Sequence, residues 1–370
     1  MKRLVIYLLN RKNLQYKNLE ICNQSRVVQK RYRCFEVRER MCLEDYRRLA
    51  RFLKAPPMFT DVVPLIVKQD EVELLLLMCE KERSIIELSR LTNLPQDTVK
   101  SRVLGLFKRG FLTKRKNGDI YYSAKSFGRI IDRHLSEGRL GHLGKYVAAL
   151  ATYQMKEHVK RGRNDPYPEA KVLPIPEAVL EPKSIVLPYE TAINILEKAR
   201  SFSVRNCDCR MTYNNCDNPL RVCLGLNEFS DELVERGVAE KISLEEAKDI
   251  LKSASKYGLI HQALYTDWLK GEVFDICSCC SCCCTYLRTF VNYGIKHHIA
   301  KSGLVAKVDL SKCDGCGICV ERCIFNARKL ENGKSIVIRE NCYGCGLCTA
   351  TCPLEATELV SETPYYPPNP

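Results

Sequence analysis

CDGCGICVERC (Cys313–Cys323) and CYGCGLCTATC (Cys342–Cys352) are two copies of one cysteine spacing, C-x2-C-x2-C-x3-C, with 18 residues between them. Cys313, Cys316 and Cys319 bend round one corner of a cubane-sized group, and Cys342, Cys345 and Cys348 round another. Gly315, Gly317, Gly344 and Gly346 leave room for the backbone to approach inorganic sulfide and point amides at it. Pairs of C-x2-C also serve zinc. Zinc takes four ligands, however, and has no use for a third cysteine at the same short spacing in both copies. The spacing therefore reads as two [4Fe–4S] clusters.

The paired runs resemble bacterial two-cluster ferredoxins, in which the fourth cysteine of each run ligates the other run's cluster. The resemblance implies Cys313, Cys316, Cys319 and Cys352 for one cluster and Cys342, Cys345, Cys348 and Cys323 for the other. Pro353 follows the last cysteine as that pattern has it. Ile324 stands where the first run would carry proline, which alters a turn and removes no ligand.

Of 22 cysteines in 370 residues, 18 fall between Cys207 and Cys352. A secreted disulfide scaffold would be shorter and more evenly supplied, so the grouping points to metal ligation in a reducing compartment, and to a cytoplasmic protein. The apolar run Leu4–Leu9 ends at Asn10-Arg11, too short for a membrane span and without a signal-peptide cleavage site. Residues 1–40 hold 11 Lys/Arg against 3 Asp/Glu, more than half of the net charge of +14. That segment lacks helical or strand periodicity. It reads as a basic arm or as sequence upstream of a start at Met41, so total charge is a weak argument for nucleic acid.

From Leu43 the pattern is orderly. A helix is expected over Leu43–Leu53, broken at Pro56-Pro57, and another over Glu71–Cys79. Ser84 opens a third, and Asp97 is the expected N-cap of a fourth that ends at Gly110. In the fourth, Val99, Val103, Leu106 and Phe107 form a buried stripe. Phe111–Lys116 and Asp119–Ser123 are strands joined at Asn117-Gly118, a two-residue hairpin signal. Residues 65–125 thereby resemble a winged helix-turn-helix. In DNA-binding members the third helix enters the major groove. Arg102 is the candidate base reader here, and Lys114, Arg115 and Lys116 the backbone contacts of the wing. The bland alternative is a packing module with a lysine-rich solvated face, which is preferred. A helical stretch is expected over about 127–160, then a proline-bearing linker (166–188), then a helix over Tyr189–Ser201.

Ten more cysteines lie between Val204 and Leu287: Cys207, Cys209, Cys216 and Cys223, then Cys277, Cys279, Cys280, Cys282, Cys283 and Cys284. Thiolates so crowded repel one another unless a cation or cluster neutralises them. In an extended chain Cys280, Cys282 and Cys284 would share one face and Cys277, Cys279 and Cys283 the other, with the upstream group supplying a fourth ligand to each. Ten thiols suffice for two further [4Fe–4S] clusters, for one cubane plus a less usual cluster, or for zinc sites of four cysteines each. Arg205 and Arg210 either donate to anionic clusters or pair with Asp208 and Asp217. His261 is expected in a helix as a packing residue, His297-His298 on the surface, and Cys79 as a small buried hydrophobe.

Across about 43–362 the layout resembles a family of multi-cluster ferredoxin-like proteins of anaerobic bacteria and archaea. The matching features are the winged-helix-like front, the proline linker, Cys207–Arg210, Cys216, Pro219, Cys223, Gly258–Gln262, Cys277–Cys284 and Cys313–Pro353. The resemblance implies an iron–sulfur electron carrier working beside a larger redox enzyme. The expected fold is α+β and multidomain. It comprises a basic extension (1–42), a winged-helix-like domain with added helices (43–165), a linker (166–188), a cysteine-rich helical metal domain (189–303), a two-cluster ferredoxin domain (304–362) and a polyproline-like tail (363–370). No phosphate loop, dinucleotide fingerprint or nucleophile motif is found, so catalysis by this chain alone is not expected. Electron transfer to a partner oxidoreductase is the expected function. The alternative is a redox-sensing winged-helix transcription regulator, with DNA as its partner.

Overall fold

The computed structural model describes residues 43–137, 145–164, 167–175, 191–267, 270–296 and 298–361. The readings made for 1–42, for His297 and for the tail 363–370 lie outside the described residues. The described residues divide into two units, those of 43–99 with 115–127, and those of 100–114 with 128–361.

In the first unit, helices run over 43–52, Val72–Glu80 and Ile85–Thr92. The last starts where the sequence says it should. Ser84 accepts from the Glu87 amide (3.2 Å), and the Glu87 carboxylate accepts from the Ser84 amide (2.8 Å). This reciprocal cap satisfies two donors that a helix start leaves bare. Asn93, left-handed at φ 54°, ends the helix before Leu94-Pro95. Strand β1 (Arg83–Ser84) pairs antiparallel with β3 (Asp119–Ala124). With β2 (Leu112–Asn117) these make a three-stranded sheet in the order β1-β3-β2. Gly118 joins β2 to β3 at φ 72°, as a tight hairpin requires.

The helix Gln96–Lys108 buries Val99, Val103, Leu106 and Phe107. Asp97 lies inside its first turn instead of capping it, because the Val99 amide already bonds to the Pro95 carbonyl (3.1 Å). Within the helical stretch expected over about 127–160, helices run over Phe127–Ser136 and Lys145–Asn164.

The second unit is organised by a seven-stranded sheet in the order β10-β4-β8-β9-β6-β5-β7, antiparallel except for the β10–β4 pair. Its strands are β4 (Ala170–Leu173), β5 (Phe202–Asn206), β6 (Arg221–Leu226), β7 (Glu240–Ile242), β8 (Ile260–Asp267), β9 (Glu272–Cys279) and β10 (Ile299–Ala300). The cysteine-rich region is thus built on a sheet, which corrects the expectation of a helical domain. Residues 170–173, expected inside a linker, are a strand whose Ala170, Val172 and Leu173 are fully buried. Pro168 and Pro174 flank those residues, so the chain is extended as prolines favour while every paired position keeps its amide. His261 is also corrected. The helix Leu244–Lys256 stops before Gly258 (φ 72°), and His261 sits in β8, hydrogen-bonded to Ser255 Oγ and Ser278 Oγ at 3.0 Å each. Its packing role is that expected.

Residues 304–361 add β11 (Leu304–Val308) paired with β14 (Thr357–Ser361), and the hairpin β12 (Arg328–Glu331) with β13 (Lys334–Val337). They share a core with the sheet: Val172, Ile175, Ile260 and Leu287 pack in one apolar cluster with Val305, Phe325, Tyr343 and Leu347. Phe325 stacks on Tyr343 (4.4 Å between centroids), and Phe290 meets both rings edge-on at 5.3 Å. The Ile175 amide also bonds to the Cys345 carbonyl (3.0 Å).

Candidate iron–sulfur and metal centres

Two cavities open inside residues 304–361. Cys313, Cys316, Cys319 and Cys352 line the first, and Cys323, Cys342, Cys345 and Cys348 line the second. Each is the set of thiols that the two-cluster pattern implies, with the fourth cysteine crossing over. The crossing follows from the fold, because β11–β14 and β12–β13 fold the two runs back on each other. Backbone amides approach several of these sulfurs: Ser335 to Cys313 (3.4 Å), Ala327 to Cys323 (3.3 Å), Ala306 to Cys342 (3.5 Å) and Ala356 to Cys352 (3.3 Å). Such donors stabilise thiolate and anionic sulfur. Gly315 and Gly344 hold positive φ, and a Cβ at either would collide with backbone, the Gly333 carbonyl for one and the Leu304 carbonyl for the other.

Whether these residues fit a cluster is tested by Arg328. It lines both cavities and is only 5% exposed. Nη2 donates to Thr357 Oγ1 (3.0 Å), while Nε and Nη1 are buried without a well-placed acceptor. Burial disfavours its charge, and the Cys348, Cys319 and Cys323 sulfurs are the groups that favour it. A buried cation with spare donors, set between two rings of thiols, needs anionic acceptors there, which cluster sulfides supply. Burial pushes the Cys348 thiol up to about 12 and raises Cys323 and Cys345 as well. These are sites for metal-held thiolates, and the residues fit the clusters. Sequence reasoning missed Arg328, whose only signal was its place in the spacer between the two runs.

The ten middle cysteines divide unequally. Six are electrostatic neighbours in a closed ring, each thiol influenced most by the next: Cys207–Cys223–Cys277–Cys279–Cys284–Cys209 and back to Cys207. The sheet assembles them. Cys277 and Cys279 stand on one face of β9, Cys223 lies on β6, and Cys207 follows the end of β5. Cys209 and Cys284 come from the starts of the helices Asp208–Tyr213 and Thr285–Tyr293. Hydrogen bonds between neighbouring thiols are the largest influence on each, in both directions round the ring, and burial adds to the rise; Cys209 is pushed up to about 12. Six crowded thiols, four of them buried and two half-buried, cannot all ionise without cations among them.

The other four, Cys216, Cys280, Cys282 and Cys283, have all their Sγ atoms within 4.8 Å of one another. Cys216 Sγ is 3.7 Å from Cys280 and 3.8 Å from Cys283. The alternating-face expectation is corrected here. Strand β9 ends at Cys279 and residues 281–283 form a turn, so Cys283 joins Cys280 and Cys282 while Cys284 goes to the other group. The upstream cysteines divide three to the ring and one, Cys216, to the quartet.

Arg205 pairs with buried Asp275 through two contacts of 2.6 and 3.2 Å and with Asp208 at 3.5 Å. Arg210 donates to the Pro219 and Ser278 carbonyls (2.6 and 2.7 Å), and its charge lies beside Cys207, Cys279 and Cys280. His298, expected on the surface, is fully buried against Glu169 and Tyr286. Cys79 is half-buried, its thiol raised to about 11 by burial. Of the four wing and helix cations, Lys114 is ion-paired with Glu235 and Arg115 with Glu82, Lys116 is exposed and Arg102 is half-buried.

These thiol-lined cavities define an iron–sulfur protein. Residues 312–357 match the family described as the 4Fe-4S dicluster domain. No curated protein and no solved structure matches the chain. No helix among the described residues is long and apolar enough to cross a membrane.

Proposed function

We propose that the protein carries single electrons through several iron–sulfur clusters to or from a partner oxidoreductase. Two [4Fe–4S] clusters would be held by Cys313, Cys316, Cys319 and Cys352, and by Cys342, Cys345, Cys348 and Cys323. A further cluster would take four or more thiols of the six-cysteine ring. Such clusters supply one-electron chemistry in which charge spreads over several irons.

The observation that carries this reading is the shared core. Cys279 and Cys284 of the ring and Cys342 of the second cavity are buried in one apolar cluster, with Cys277, Cys323, Cys345 and Cys348 packed against it. Sites embedded in one close-packed apolar interior keep their geometry through a redox change, so little rearrangement opposes electron movement. Within this arrangement Arg328 supplies positive charge to both cavities, and the amides of Ala306, Ala327, Ser335 and Ala356 hold sulfur orientation.

A winged-helix reading of residues 65–125 agrees with the order of helices and hairpin. The regulator function is the weaker of the two, since two of the three wing cations are taken up by ion pairs within the chain. The test is electron delivery. Photoreduced protein should pass electrons one at a time to an artificial acceptor, and Cys323→Ser or Cys345→Ser should slow delivery at least tenfold. Delivery unchanged in both variants, with the iron lost, would sink the proposal.

A further inference from the structure

We propose that Cys216, Cys280, Cys282 and Cys283 bind a single zinc ion as a closed tetrahedral thiolate site, apart from every iron–sulfur cluster in the chain. Zn–S bonds of about 2.3 Å set the edges of a zinc tetrathiolate tetrahedron at about 3.8 Å. The measured separations of Cys216 from Cys280 and Cys283 are 3.7 and 3.8 Å. A cubane places four irons and four sulfides between its thiolates and holds them further apart. The molecule carries its own standard for this. Among the described residues, only this quartet brings three or more metal-ligating groups within 4.8 Å of one another, and neither quartet of the two cluster cavities does so.

The surroundings suit a thiolate centre. The Asn215 amide points at Cys283 Sγ (3.4 Å) and Asn218 Nδ2 at Cys216 Sγ (3.3 Å). Asn215 Nδ2 also donates to the Cys282 carbonyl (2.9 Å), tying the two ligand-bearing segments together. Asn214, left-handed at φ 47°, ends the helix Asp208–Tyr213 and turns the chain towards Cys216. Four sulfur ligands leave no open position for substrate. Among common divalent ions at a thiolate site, zinc outcompetes ferrous iron. Zinc does not change oxidation state. Its role here is to pin the turn 280–283, which lies between ring members Cys279 and Cys284.

The test uses the full chain purified without oxygen. Metal analysis should find about one zinc per chain, and zinc-edge X-ray absorption should show only sulfur neighbours at about 2.3 Å with no metal–metal scattering. Cys282→Ser should lose that zinc while the paramagnetic resonance of the two clusters on the C-terminal cysteine runs persists. In Asn218→Ala, a milder change, a chelator should extract zinc several-fold faster with iron unchanged. Zinc-free wild-type protein, or loss of iron and sulfide together from Cys282→Ser, would overturn the proposal. The electron-carrier reading stands or falls separately, on the cavity cysteines.

Discussion

The thiols of the cluster cavities and the quartet at Cys216 use one donor chemistry at two spacings. In the cavities, C-x2-C-x2-C spreads each set round an opening, with glycine turns and facing amides lining the wall. In the quartet, Cys282 and Cys283 are adjacent, Cys280 is one residue away, and a turn pinches them against Cys216. The first arrangement leaves room for a cluster core and the second closes on one ion. The difference teaches that cysteine spacing along the chain sets the size of the centre when a turn, and not a strand, presents the thiols.

The largest expected effect separates the two kinds of centre outright. Cys345→Ser should remove the second cavity's cluster, lowering iron by about four per chain and abolishing magnetic coupling between the paired clusters, with zinc retained. Loss of zinc in the same variant would show that the centres are not independent. Next, Asp275→Ala should destabilise the ring side of the sheet by about 3–5 kcal/mol, because buried Arg205 loses its two-contact partner and keeps only Asp208 at 3.5 Å. In a denaturant titration, ring iron should be released before the iron of the two cavities. Simultaneous release would merge what we separate. A third change is electrostatic. Arg328→Leu removes a buried positive charge that favours the reduced, more negative clusters, so both cavity potentials should fall by on the order of 50–100 mV. Potentials unmoved in a spectropotentiometric titration would deny Arg328 that role.

The smallest effect is a control in the first unit. Ser84→Ala should cost about 1 kcal/mol by removing the helix cap, with metal content unchanged. Hydrogen bonding from the Ser84 amide holds the Glu87 carboxyl below its usual range. A lowered carboxylate contributes stability above its unfolded pKa and loses it as pH falls through the folded value. The Ser84 amide is still present in Ser84→Ala, so wild type and variant should lose this contribution together and the penalty should largely persist in acid, which unfolding followed at neutral and acidic pH will show.

The cavity cysteines were legible because their spacing is local: each run carries three ligands within seven residues. The capped helix at Ser84, the buried stripe of the Gln96–Lys108 helix and the hairpin at Gly118 were legible for the same reason. The ring was not, because β5, β6 and β9 bring its members together across more than seventy residues, and pairing register is a tertiary property. Cys283 and Cys284 exchanged groups because one turn shifts alternation by one step. Strand β4 hid between prolines that flank its paired positions without occupying them. His261 followed a strong helical pattern, yet Gly258 resets the chain in the left-handed region and a strand follows.

One measurement bears on the whole account: iron, sulfide and zinc per chain in protein purified without oxygen, with electron paramagnetic resonance of the reduced form. Two coupled cubanes, one further cluster in the ring and a separate ion predict about twelve irons and about one zinc. About sixteen irons with no zinc would contradict the single-ion quartet. A chain with zinc and no iron would contradict the electron-carrier account altogether.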